Sequence, residues 1–81
     1  MFKILVKTDA IASFDDRRYA VRYFEVRTLR GARRYSAEIT IGQGDRIILD
    51  DDSMCSLEVR AGFLVPATLY SRLLAARATA A

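Results

Sequence analysis

Residues 34–49, RYSAEITIGQGDRIIL, decide the fold of this 81-residue chain. Apolar and polar side chains alternate along residues 34–41, the period of two expected for a strand with one buried face. The apolar set is Tyr35, Ala37, Ile39 and Ile41. Gly42-Gln43-Gly44-Asp45 predicts a tight turn, and residues 46–49 predict a short further strand. This stretch therefore predicts an antiparallel hairpin.

The segment before this hairpin predicts another, longer strand. Residues 19–29 are rich in aromatic and β-branched side chains. Tyr19, Val21 and Tyr23 share one face, whereas Phe24 and Val26 lie on the other. Either both faces are covered, or a bulge near Tyr23 and Phe24 changes the phase. Residues 30–33, with a glycine, predict the turn that joins this strand to the next.

The N-terminal residues predict a first strand, because Phe2, Ile4 and Val6 alternate with their neighbours. Residues 9–18 are expected to form a connection. Strands joined in sequence order by short turns predict an antiparallel meander.

The C-terminal part predicts helix. Asp52 or Ser53 can cap a helix, and one helical face then carries Met54, Leu57, Ala61 and Leu64. The alternative for Met54–Ala61 is a fifth strand, since Leu57, Val59 and Ala61 also alternate with charged residues. The cap favours helix.

Two residues predict that this helical part is divided. Gly62 would close a first helix and Pro66 would open a second. The expected order is ββββαα: one α+β domain over residues 1–76, with an antiparallel sheet, C-terminal helices packed on one face, and a frayed tail at residues 77–81.

Composition limits the class of protein. About half the residues are apolar (52%), which is typical of a globular chain. No apolar stretch approaches the roughly 20 residues of a membrane-spanning helix, and the N-terminus lacks the features of a secretory signal, so no membrane partner is expected. A single cysteine, Cys55, favours a reducing compartment, the cytoplasm.

The residue types argue against an enzyme. The chain has no histidine and one cysteine, which removes imidazole-based nucleophilic dyads and zinc sites. The run 50–52, three aspartates, is interpreted as helix capping rather than a metal site, and Gly42-Gln43-Gly44 as a hairpin rather than a phosphate loop. Cys55 is interpreted as half-buried. We expect no catalytic residue, cofactor or metal, although chemistry by carboxylates alone stays open.

Basic residues gather in the N-terminal part. Through Arg34 there are nine basic and four acidic residues, and beyond it four basic and six acidic. Arginines interleaved with aromatic rings favour single-stranded nucleic acid. The candidate residues are Arg22, Arg27, Arg30, Arg33, Arg34 and Tyr35. The alternatives are cross-strand ion pairing, and an arginine content that reflects codon usage; the sequence leaves both open.

The preferred hypothesis is self-association. A small core gains from a partner, and helices in so short a chain cover one face of the sheet. We expect Tyr19, Val21 and Tyr23 to lie on the other face, rimmed by arginine, a composition enriched in protein interfaces. The sequence thus predicts a non-catalytic interaction or adaptor domain that forms a homodimer through a sheet face or edge. Nucleic-acid binding is the alternative.

Overall fold

The computed structural model describes residues 2–79. Its strands and helix are β1 (Phe2–Ala12), β2 (Arg18–Arg27), β3 (Arg33–Gly42), β4 (Asp45–Asp51) and α1 (Met54–Thr79). The strands form one antiparallel sheet in the order β1-β2-β3-β4. The α+β class and the predicted meander are confirmed.

Strand β1 is longer than predicted, because residues 9–12, expected in a connection, pair with β2. Ile11 lies opposite Tyr19, and Ala12 opposite Arg18. The turn is short: the Ser13 amide donates to the Arg17 carbonyl at 2.8 Å.

The bulge near Tyr23 and Phe24, one of the two alternatives for β2, is not present, because β2 pairs with β3 without a register shift. An irregularity lies in the opposing strand instead. Leu5 pairs with Phe24 and Lys7 with Tyr23, so Val6 is the extra residue of a bulge in β1.

The tight turns predicted on either side of β3 are present. Gly31, in the turn between β2 and β3, has a φ of 80°, and Gly44, between β3 and β4, has a φ of 74°. Residues with a Cβ atom rarely adopt positive φ values of this kind, which explains why glycine occupies both positions.

The core lies between one face of the sheet and helix α1. The buried apolar residues are Val21, Tyr23, Ala37 and Ile39 from the sheet and Leu57, Ala61 and Val65 from the helix. Val21 opposes Ile39, and Tyr23 opposes Ala37, so β2 and β3 present one continuous apolar surface to the helix. Burial of a valine, leucine or isoleucine side chain, such as Val21, Leu57 or Ile39, contributes about 1.5–3 kcal/mol to the free energy of unfolding.

A single helix replaces the two that Gly62 and Pro66 predicted. Pro66 has no amide hydrogen, so the helix lacks the bond that residue 66 would donate to the Gly62 carbonyl. Ala61 and Val65 are buried before the proline, and Leu69 packs on the core after it. This packing outweighs the local signals and keeps the helix continuous.

Helix α1 begins where the sequence predicted, directly after a capping residue. The Ser53 hydroxyl accepts a hydrogen bond from the Ser56 amide at 3.2 Å, the geometry of an N-cap. Met54–Ala61 is therefore helix and not a fifth strand. At the other end, residues 77–79 of the predicted frayed tail are helical, and residues 80 and 81 lie outside the described range.

Three ion pairs join the helix to the sheet. Glu58 contacts Lys7 of β1 at 3.0 Å, whereas two helix arginines contact β4. The latter pairs are Arg60 with Asp51 at 3.0 Å and Arg72 with Asp45 at 2.7 Å. These pairs connect the helix to both edge strands of the sheet, β1 and β4.

Within residues 2–79, no helix combines the length and the apolar composition that crossing a bilayer demands.

The Asp51 carboxylate should make the stability of the helix start depend on pH. Hydrogen bonds from the Arg60 guanidinium and the Ser56 hydroxyl hold the pKa of Asp51 well below its ordinary value of 3.8. Because the native pKa is the lower one, this stabilisation is present above about pH 3.8 and is lost as the pH falls toward the native pKa.

We expect Asp51→Asn to lower the free energy of unfolding at pH 7, as measured by urea denaturation. The difference from wild type should shrink as the pH falls below 3.8. Asp50→Asn is the matched control, since the Asp50 side chain forms none of the ion pairs or hydrogen bonds described for residues 2–79. Equal losses from both substitutions, or a loss independent of pH, would contradict this account.

Candidate functional site

The residues predicted to form an interface lie under the helix, and this prediction is wrong. Val21 is fully buried and Tyr23 is 3% exposed, while Tyr19 packs against the same core. The helix takes this face because β3 presents Ala37 and Ile39 on the same side as Val21 and Tyr23. Val21 and Tyr23 therefore stabilise the fold and are not available to a partner, whereas Tyr19 is partly buried and lines an open groove.

The face of the sheet away from α1, here called the open face, carries a cationic cluster. Its centre is the carboxylate of Glu38, which is 7% exposed. Lys3 contacts this carboxylate at 3.3 Å, and Arg22 and Arg46 each contact it at 3.5 Å. Three cations therefore share one carboxylate, which leaves a local excess of positive charge.

The ring of Phe24, which lies on the open face, is already in contact with two cations. The Lys3 ammonium lies 4.2 Å from the centroid of Phe24, and the Arg22 guanidinium lies 5.5 Å from it. These are cation–π distances. A nucleotide base would have to displace one of these cations to stack on Phe24.

The predicted nucleic-acid residues do not form one surface. By strand register, Arg22 and Arg34 lie on the open face, opposite Glu38 and Val26. Arg27 and Arg33 face each other on the helix side, and both contact Glu25, at 3.4 and 3.0 Å. The remaining two residues are Arg30, exposed in the turn, and Tyr35, which packs against the core. The structure thus brings Arg22 and Arg34 to one face and separates them from the tyrosine.

Helix α1 is apolar on two opposite sides. The inner side consists of Leu57, Ala61 and Val65. The outer side, here called the outer helix stripe, consists of Val59, Phe63, Pro66, Tyr70 and Leu74. At about 100° per residue, the centres of the two sets lie about 180° apart.

The outer helix stripe is exposed. Val59 is 69% and Phe63 74% exposed, and Tyr70 and Leu74 are 50% and 47% exposed. A soluble helix usually carries polar residues opposite its core face. A row of exposed apolar side chains on one side of a helix makes this stripe a candidate interaction surface.

The turn between β1 and β2 extends this stripe. The Phe14 ring meets the Tyr70 ring edge to face, with centroids 5.2 Å apart, and Phe14 is itself 47% exposed. Beside this pair, an open groove of about 440 Å³ runs between the turn and the C-terminal half of α1. Arg17 and Arg77 both line the groove.

Strand β1 forms a free edge of the sheet. Three consecutive positions carry exposed aliphatic side chains: Ile4, Leu5 and Val6 are each about half exposed. The same strand carries Lys3, Lys7 and the bulge at Val6. Lysines and bulges on an edge oppose the addition of another strand.

Sequence reasoning missed the outer helix stripe although its signal was present. The stripe residues are spaced by four, three, four and four positions, which is helical spacing. The division predicted at Gly62 and Pro66 places Val59 in a first helix, Phe63 in the connection, and Tyr70 and Leu74 in a second helix, so the spacing does not form one pattern.

Structural contacts shift the pKa of two titratable groups on the helix side of the sheet, Tyr23 and Lys7. Burial raises the pKa of the Tyr23 phenol above its ordinary value of 10.0, and the hydrogen bond to Glu58 raises the pKa of Lys7. Within residues 2–79, the side chains form no group of three metal-ligating residues. Cys55 is exposed, which corrects the expectation that it is half-buried.

No family model, no curated protein and no solved structure matches this chain.

Proposed function

We propose that this chain is a non-catalytic interaction domain that self-associates through the outer helix stripe. The observation that carries the proposal is the apolar character of α1 on both sides, one of which the sheet covers. Phe63, at 74% exposed, is the most exposed residue of the stripe. Covering such a surface is favourable by roughly 25 cal/mol per Å² of apolar area.

The sheet edge, the other site considered for self-association, is less suitable. Lys3 and Lys7 carry charge on β1, and the bulge at Val6 interrupts the ladder. The outer helix stripe has no such obstruction, because the charged residues of the helix between Val59 and Leu74, Arg60 and Arg72, are paired with the sheet.

We also propose that the protein is not an enzyme and that it acts in the cytoplasm. Three charged side chains of α1, Glu58, Arg60 and Arg72, form ion pairs with the sheet, which supports a binding role over catalysis. A lone cysteine that is exposed in the first turn of α1 suits a reducing compartment such as the cytoplasm.

Phe63→Glu should convert a dimer into a monomer, because a carboxylate in an apolar interface loses its hydration without a partner. At tens of micromolar, light scattering coupled to size exclusion should give twice the protomer mass for wild type and the protomer mass for the variant. Far-UV circular dichroism should be unchanged.

The matched control is Leu29→Glu, which places the same charge at another exposed apolar residue. Leu29 is 92% exposed and lies in the turn between β2 and β3, so this variant should stay dimeric. A wild-type chain that remains at the protomer mass at hundreds of micromolar would remove the proposal. A dimer that persists in Phe63→Glu would place the interface elsewhere.

Nucleic-acid binding on the open face is a second candidate. It is supported by the three cations around Glu38 and by Arg34, which lies on the same face and takes part in none of the ion pairs within residues 2–79. Arginines without a protein partner are available to phosphate.

Arg34→Ala should weaken binding to a labelled oligothymidylate at low salt. The slope of log affinity against log salt should fall by about 1, because one phosphate contact is lost. Arg72→Ala is the control, since Arg72 is paired with Asp45 on another surface. Fluorescence anisotropy gives both quantities; no binding at low salt, or equal effects of the two substitutions, would rule out this candidate.

A further inference from the structure

We infer that two copies of this chain pair through the outer helix stripe in an antiparallel, two-fold arrangement, with Phe63 of each copy against Tyr70 of the other. This inference rests on the proposed self-association and specifies its geometry. It follows from the order of residues along the stripe, the charges at its ends and the area that it exposes.

The stripe is symmetric about the midpoint between Pro66 and Ala67. Phe63 and Tyr70 lie equally far from this point, and so do Val59 and Leu74. A two-fold axis at the midpoint would place each aromatic ring against an aromatic ring and each aliphatic side chain against an aliphatic one. An interface around a two-fold axis must be complementary to itself, and this sequence meets that requirement. A parallel pair would instead bring each residue against its own copy.

The charges at the ends of the stripe favour the antiparallel arrangement. Arg77 forms none of the ion pairs within residues 2–79. The two-fold axis would set it beside Ser56 of the second copy, about one helical turn from the exposed carboxylate of Asp52. Arginine of one copy would thus approach the aspartates that precede the other helix. In a parallel pair the two Arg77 side chains would repel each other.

The exposed area suits a dimer of moderate affinity. Phe14, Val59, Phe63, Tyr70 and Leu74 are each about half exposed or more and offer on the order of 100 Å² apiece. Two copies would therefore bury about 1,000 Å², near the lower end of specific interfaces. Phe14 would be included because it packs on Tyr70 and so borders Phe63 of the second copy.

Disulfide cross-linking in a Cys55→Ser background tests the register. In the antiparallel pair, positions 59 and 74 of different copies adjoin, whereas the two copies of position 59 are about 22 Å apart, from 15 residues at 1.5 Å each. A disulfide requires Cα atoms within about 7 Å. Mild oxidation should therefore link the double variant Val59→Cys/Leu74→Cys into a covalent dimer on a non-reducing gel. Val59→Cys alone and Leu74→Cys alone should remain at the protomer mass.

Light scattering of the same samples before oxidation separates the possible failures. Samples at twice the protomer mass in which Val59→Cys alone cross-links would show a parallel pair and overturn the inference while self-association stands. Dimeric samples in which no variant cross-links would also overturn the inference. Samples at the protomer mass throughout would remove both the inference and the proposed function.

Discussion

Burial of one side of the sheet beneath a single helix is the interaction on which the rest of this structure depends. Leu57, Ala61 and Val65 close over Val21, Tyr23, Ala37 and Ile39. This contact fixes the rotation of α1 about its own axis, and it therefore also fixes which side chains point away. Since apolar residues occur on both sides of the helix, the packing that forms the core leaves Val59, Phe63, Tyr70 and Leu74 exposed. Ion pairs to both edge strands, β1 and β4, are compatible with this orientation.

The strands could be predicted from the sequence because their signals are local. Alternation along residues 34–41 and the glycines of the two flanking turns gave β3 and its hairpins, and Ser53 marked the start of the helix. Helix continuity through Gly62 and Pro66 could not be predicted in the same way. It depends on the burial of Ala61, Val65 and Leu69, and contacts with distant strands leave no local trace in the sequence.

The position of the candidate site was predicted wrongly for a reason that lies in the sheet register. Alternation shows which residues share a face, but it does not show which face the helix covers. The apolar face of β3, with Ala37 and Ile39, indicates the side that the helix covers. Val21 and Tyr23 lie on that side, because they are opposite Ile39 and Ala37. The other face of β2, which includes Arg22, then lies on the same side of the sheet as Glu38. Glu38 is covered there by Lys3, Arg22 and Arg46 and not by the helix. The aromatic and arginine residues of β2 were consequently divided between two faces.

The central claim is that α1 has two apolar sides, one for the core and one for a second copy. The thermal midpoint of the wild-type chain, measured over a hundredfold range of protein concentration, tests it most directly, because a dimer that forms only from folded chains raises the midpoint by mass action. The account predicts a midpoint that rises steadily with concentration. A midpoint that stays constant over the whole range would contradict it.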